Sequence, residues 1–316
     1  MERENKLAIT TVLPLIEITS LHLSGDAEVL PNGFVIMPRN KLQQILDEFD
    51  DERAREEFGI DLSEALNADF YLKVAKEYPF PPAESKTLSV VWEEGTQINA
   101  ERIDRFLLAL NLIERLWTFR PDVRLSWYEQ DYPVKQKLVS YRHHYPVSTF
   151  DGRPALADLQ EAAKLISKID TIYSTNDRDS SYPGIRIAFD ALRSGTYGIH
   201  TSIRYLQEAI AIETLCSTDT QEVTHRVRVA CSLLLGSDLG ERKDWYDKAG
   251  KIYRKRSALI HGNSNKVTID ELKKIEQVSR KLIRRVLEDR ILPNYANRDT
   301  QKNFLLELQL GKMTPA

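Results

Sequence analysis

The residues best equipped for chemistry lie close together, in the segment KIYRKRSALIHGN at 251–263. Histidine titrates near neutrality and can take or give a proton, and arginine presents a charged planar fork to phosphate oxygens. His261 is preceded by Arg254 and Arg256 and followed directly by Gly262. A glycine in that place is a helix C-cap signal, which sets His261 in a last helical turn, where the macrodipole favours a cation. Around a regular helix Arg254 falls about 20° from His261 and Ser257 about 40°, whereas Arg256 falls about 140° away. Geometry alone selects Arg254 as the partner of His261. Arg256 qualifies if its long side chain curls round, or if the helix ends there. The plainer reading of the segment is a capping histidine beside an arginine held in an ion pair between helices.

Other chemistries find little support. There is no GxxxxGK[ST], GxGxxG, HExxH or GxSxG, which argues against a P-loop NTPase, a dinucleotide enzyme, a zincin and an α/β-hydrolase. His143 and His144 are adjacent, so on a strand they point to opposite faces and cannot chelate one metal together. Asp69 with Glu84 and Lys86 faintly suggests the carboxylate-x-lysine arrangement of metal-dependent nucleases, beside a Pro-rich loop. Cys216 and Cys231 fall in helix-like segments outside any CxxC pair, which speaks against a disulfide framework or a zinc site. The expectation is of a site with no metal and no cofactor.

The charge is unevenly spread. Residues 1–150 carry 17 Lys and Arg against 25 Asp and Glu, whereas residues 241–290 carry 15 against 8. A local excess of +7 on a chain of net charge -3 suits a polyanion, because neutralising phosphates releases counterions. A solvated helix face, or an internal partner for the acidic half, would leave the same imprint. With 42% hydrophobic and 29% charged residues the composition is globular. No apolar run approaches the length of a membrane span, and the first thirty positions lack a secretory-signal pattern. The expectation is a cytoplasmic protein without a membrane partner.

The elements that must hold this segment change character near residue 150. Before it the pattern is mixed. Residues 15–23 and 28–37 alternate like strands, the second pair joined by a Pro-Asn-Gly hairpin signal. Residues 40–58 have helical spacing within an acidic run. YPFPP at 78–82 interrupts the pattern, residues 87–92 read as a strand, Asn99 as the cap of a helix through Leu116, and 123–128 and 137–145 as further strands. After Asp151-Gly152-Arg153-Pro154, six segments have apolar residues three and four apart: 155–173, 185–193, 202–215, 221–235, 244–260 and 268–287. The fold class expected is α+β, with a mixed α/β domain at 1–150, an all-α bundle at 151–293 and a tail at 294–316 holding an amphipathic turn at 304–310. No internal repeat is apparent.

Residues 206–262 resemble a known family. Ala209-Ile210-Ala211-Ile212-Glu213-Thr214-Leu215 is similar to the acidic helix of the Apea-like HEPN domains, and residues 224–235 (THRVRVACSLLL) to the helix that follows it. Residues 252–262 resemble the family's Tyr-x-x-Arg-Ser-x-x-x-His-Gly signature. The likeness is close over about 60 residues and looser over the rest of the helical half; the first 150 resemble nothing we can name. The resemblance implies a helical-bundle fold and a metal-independent endoribonuclease in which Arg256 and His261 form the Arg-x4-His pair, with Glu213 as the acidic residue beside them. Arg254, Lys255, Ser257 and Asn263 are then the candidate RNA-binding residues. It further implies RNA as partner, a homodimer through the helical domain with two motifs in one cleft, and a conditional toxin or phage-defence role. The first domain would then meet a regulatory protein or phage trigger. HEPN domains also serve as non-catalytic RNA-binding or signalling modules, which is the alternative.

Overall fold

The computed structural model describes residues 6–14, 23, 27–46, 69–79, 88–113, 124–129, 139–141, 155–173, 181–196, 200–219, 221–262 and 266–311. They form an α+β protein of two compact units, Met1–Ser167 and Lys168–Ala316. The division falls inside a helix, later than the change of character near residue 150.

The first unit is built on an antiparallel sheet of strands β1 (Lys6–Pro14), β2 (Glu28–Val29), β3 (Val35–Pro38), β4 (Phe70–Pro79), β5 (Arg124–Glu129) and β6 (Val139–Tyr141), in spatial order β2-β3-β4-β1-β5-β6. The central pair is β1 with β4, in a register that sets Thr11 opposite Val74. The expected hairpin is present: β2 pairs with β3 across a short 3-10 turn, Pro31–Gly33, in which Asn32 and Gly33 both take positive φ. Helix α1 (Arg39–Leu46) covers the described start of the charged 40–58 segment. The expected strand at 15–23 lies, apart from Leu23, outside the described residues, as do Glu84, Lys86, His143 and His144.

Two expectations are corrected here. The strand expected at 87–92 is not one where it is described: from Leu88 onward the chain opens helix α2 (Leu88–Leu112). Asn99 is no cap. It sits in the middle of α2, fully buried, and its Nδ2 donates to Thr11 Oγ1 of β1 at 3.2 Å. A short β-branched apolar run looks the same at the start of a buried helix as in a strand, and an Asn can occupy a helix interior when a partner across the core satisfies its amide. Further along, Phe106 meets Phe34 with ring centroids 5.0 Å apart, and Arg102 donates to the carbonyls of Ala75 and Asn32.

Helix α3 (Leu156–Tyr173) spans the division, and the second unit continues with α4 (Pro183–Thr196), α5 (Thr201–Cys216), α6 (Val223–Leu235), α7 (Leu239–Ile260), α8 (Ile269–Val286) and α9 (Arg298–Gln309). Each of the six helical spacings is therefore a helix. α7 begins five residues earlier than its apolar pattern, because the Asp238 side chain accepts from the Glu241 N–H at 2.9 Å and caps it. α8 opens with a Thr268–Glu271 capping box. The main pairings are α4 with α5, α6 with α7, and α8 against α5. The described residues 295–311 belong to this body: Tyr295 is buried with its hydroxyl on the Leu215 carbonyl at 3.0 Å, and Gln301 Nε2 donates to the Thr214 carbonyl at 2.8 Å.

Candidate active site

Three joints bring α5 and α6 against α7. Tyr205 of α5 is buried and donates its hydroxyl to the Ile252 carbonyl at 3.1 Å. Gly250 admits the Arg228 side chain of α6, since a Cβ there would stand 2.9 Å from Arg228 Nε. That guanidinium lies 3.8 Å over the Tyr246 ring and donates to the Tyr246 carbonyl at 3.2 Å. These contacts fix the direction of α7 and so of everything at its C-terminal end.

The third joint includes the candidate residues. Arg256 Nη2 donates to Glu213 Oε2 at 3.3 Å, and the Tyr253 hydroxyl donates to the same oxygen at 3.4 Å. Glu213 and Arg256 are about one-third exposed, at 30% and 33%, so the pair sits at the surface end of the joint, with buried Tyr253 beneath it. Burial, and then the Glu213 charge, push the Tyr253 hydroxyl well above the usual range. It therefore remains a donor at any physiological pH. Tyr253 is the residue the sequence reading left out of its site, although it stands in the quoted signature one turn before Arg256. Below it Cys216 and Cys231 approach to 3.6 Å between sulfurs, both as free buried thiols, and burial raises the Cys216 thiol strongly.

α7 runs regularly to Ile260. His261 is its C-cap residue, with its N–H on the Ser257 carbonyl at 3.0 Å, and Gly262 follows at φ +71° with its N–H on the Leu259 carbonyl at 3.3 Å. The positive φ is the conformation for which glycine is favoured after a helix. His261 is exposed, as are Arg254 and Ser257. Arg254 and His261 thus share the solvent-facing side of α7, whereas Arg256 is turned to the α5 side by Glu213. Lys255 is half-buried in an ion pair with Glu271 of α8 at 3.1 Å. Asn263 lies outside the described residues.

The structure therefore brings Glu213, Tyr253 and Arg256 together, leaves Arg254 and His261 on the same exposed side of α7, and engages Lys255 as a tie between α7 and α8. Among the described residues there is no cluster of His, Cys, Asp and Glu able to hold a metal ion, and no helix long and apolar enough to cross a membrane. The chain matches no protein-family model, no curated protein and no solved structure. The likeness to Apea-like HEPN domains rests on the residues of 206–262 themselves.

Proposed function

We propose that this protein is a metal-independent endoribonuclease of the HEPN type. The observation that carries the reading is His261, exposed at the C-cap of α7, the helix that also carries Arg256, whose guanidinium is joined to Glu213 of α5. RNA contains its own nucleophile. His261 would accept the 2′-hydroxyl proton as that oxygen attacks the phosphorus, a second imidazolium would protonate the leaving 5′-oxygen, and a guanidinium would hold the charge on the phosphorane. The products are a 2′,3′-cyclic phosphate and a 5′-hydroxyl.

One imidazole cannot serve both sides of an in-line displacement, so the proposal includes a homodimer through the helical unit. Exposed Ile203 (47%) and Ile210 (39%) on α5 and Ile260 (50%) on α7 supply apolar surface on the helices that carry Glu213 and His261. An enzyme of this kind arrests its host, which suits a conditional toxin or phage-defence effector released by a trigger at the N-terminal unit. A non-catalytic RNA-binding or signalling module is the competing reading, favoured by the same Glu213 contact, which holds Arg256 away from the His261 side. Incubation of the purified protein with single-stranded RNA separates the two: cleavage lost in His261→Ala supports the enzyme, and RNA binding without cleavage supports the module.

A further inference from the structure

Glu213, which holds Arg256, stands in the last turn of α5, three residues before the helix ends at Cys216. A helix end leaves its final carbonyls without donors from the helix itself. The Ser217 N–H closes this turn on the Glu213 carbonyl at 2.9 Å. The carbonyls beyond Glu213 are met by donors 80 to 87 residues further along the chain. The Tyr295 hydroxyl donates to the Leu215 carbonyl at 3.0 Å, and Gln301 Nε2 donates to those of Thr214 at 2.8 Å and Leu215 at 3.2 Å. Arg298 Nη1 reaches the carbonyls of Ser217 at 3.4 Å and Thr214 at 3.5 Å, which brings positive charge to the end of α5 that the macrodipole makes negative.

Gln301 is the centre of this latch. It lies in the first turn of α9, whose start is fixed by the Asn297–Thr300 capping box, and it is only 1% exposed. Both ends of its amide are engaged: Nε2 on the two carbonyls, and Oε1 as acceptor from Arg298 Nη1 at 3.4 Å. Helix α4 closes the remaining side. A Cβ on Gly184 would stand 3.0 Å from Gln301 Oε1 and 3.0 Å from the Thr214 carbonyl oxygen, so the missing side chain lets α4, α5 and α9 meet. The Tyr182 N–H, on the Ala296 carbonyl at 2.8 Å, ties the same stretch to the start of α4.

Glu213 immediately precedes Thr214, so a last turn that unwound would carry its carboxylate away from Arg256 Nη2 and the Tyr253 hydroxyl. Helix ends fray unless they are held. A buried Gln301 cannot touch a substrate, and its influence on a cut passes through α5.

We propose that Gln301 is a positioning residue: by fastening the last turn of α5 it holds the Glu213 carboxylate against Arg256 and so aims the guanidinium. This rests on the reading of Arg256 as the arginine that stabilises the phosphorane. It adds that Tyr295–Gln301, outside the stretch that resembles a known family, belongs to the apparatus that cuts.

The test is a cycle of substitutions in the full chain. Gln301→Met keeps the size of the side chain and removes its donor. Single-turnover cleavage of single-stranded RNA by this variant should fall on the order of tenfold, with RNA affinity unchanged by anisotropy. In a Glu213→Gln protein the same substitution should cost less than about twofold, because residues that act through one contact are not additive. Equal losses in the two backgrounds, an unchanged rate, or a loss carried by affinity overturns the proposal. A second readout needs no cleavage. The Arg256 side-chain Nε–H resonance, identified by its loss in Arg256→Lys, should shift in Gln301→Met, while that of Arg204, paired with Glu276, stays in place. If Gln301→Met does not fold, Tyr295→Phe, which removes a neighbouring donor to Leu215, replaces it in both measurements. Cleavage by the parent with an unmoved Arg256 resonance in the variant overturns the latch and leaves the ribonuclease. A protein that never cleaves, but whose Arg256 resonance moves, overturns the ribonuclease and keeps the latch.

Discussion

Arg254 and Arg256 are two residues apart and the fold gives them different surroundings. Arg256 is pinned by Glu213 above the Tyr253 hydroxyl, whereas Arg254 stands in solvent on the side of His261. If the resemblance assigns the roles correctly, Arg256→Ala lowers cleavage by about 100- to 1,000-fold with little change in RNA affinity, since charge stabilisation is needed most in the transition state. Arg254→Ala then mainly weakens binding. Single-turnover rates and anisotropy on the two variants separate these effects, and the reverse pattern would make Arg254 the catalytic arginine. This ambiguity was legible in the sequence, because the angle around a helix follows from residue spacing alone. What the spacing could not reveal was the third member of the joint, since Tyr253 owes its place to a carboxylate 40 residues earlier in the chain.

At the scale of elements, helices were easier to read than strands. The six helical patterns after residue 150 correspond to α3–α8 because each buries one stripe and exposes the other. β4 escaped because Tyr71 and Leu72, neighbours on opposite faces, are both fully buried, which erases the alternation that marks a strand. Between α5 and α8 lies a network that no local pattern announces. Glu208 and Glu276 are buried among Arg204, Arg280 and Ser279; Arg204 Nη2 pairs with Glu276 Oε1 at 2.7 Å, and Ser279 donates its hydroxyl to Glu208. Burial pushes the Glu208 carboxyl up to about 7, against the lowering effect of Arg280. The folded protein therefore keeps a proton there that the unfolded chain has released above about 4.5. Stability from this source is fully present below pH 4.5 and is lost as pH rises through 7, an effect on the order of 1–3 kcal/mol. Urea unfolding of the parent and of Glu208→Gln between pH 5 and 8 checks it: the parent should lose stability across that window and the variant should show a flatter profile. A parent whose stability rises with pH over this range would show that the arginines, and not burial, govern Glu208.

For the whole molecule, the acidic first half and the basic block of α7 and α8 were visible in the sequence as charge counts, whereas the division into two compact units falls inside α3, some 17 residues after the change of character along the chain. Assembly is expected from the resemblance and from the need for a second imidazole, and it makes a distinct prediction. If each cut needs one His261 from each of two copies, the rate per chain falls on dilution below the dimer dissociation constant, and excess His261→Ala suppresses the unsubstituted protein by more than simple dilution. Light scattering that shows a monomer cleaving at full rate per chain would remove the shared site. The account as a whole stands on the chemistry of the cut, and the end groups of the products report it most directly. Purified protein incubated with single-stranded RNA in excess EDTA should still cleave and should leave 2′,3′-cyclic phosphate and 5′-hydroxyl ends; cleavage abolished by EDTA and restored by magnesium, with 5′-phosphate ends, would contradict it.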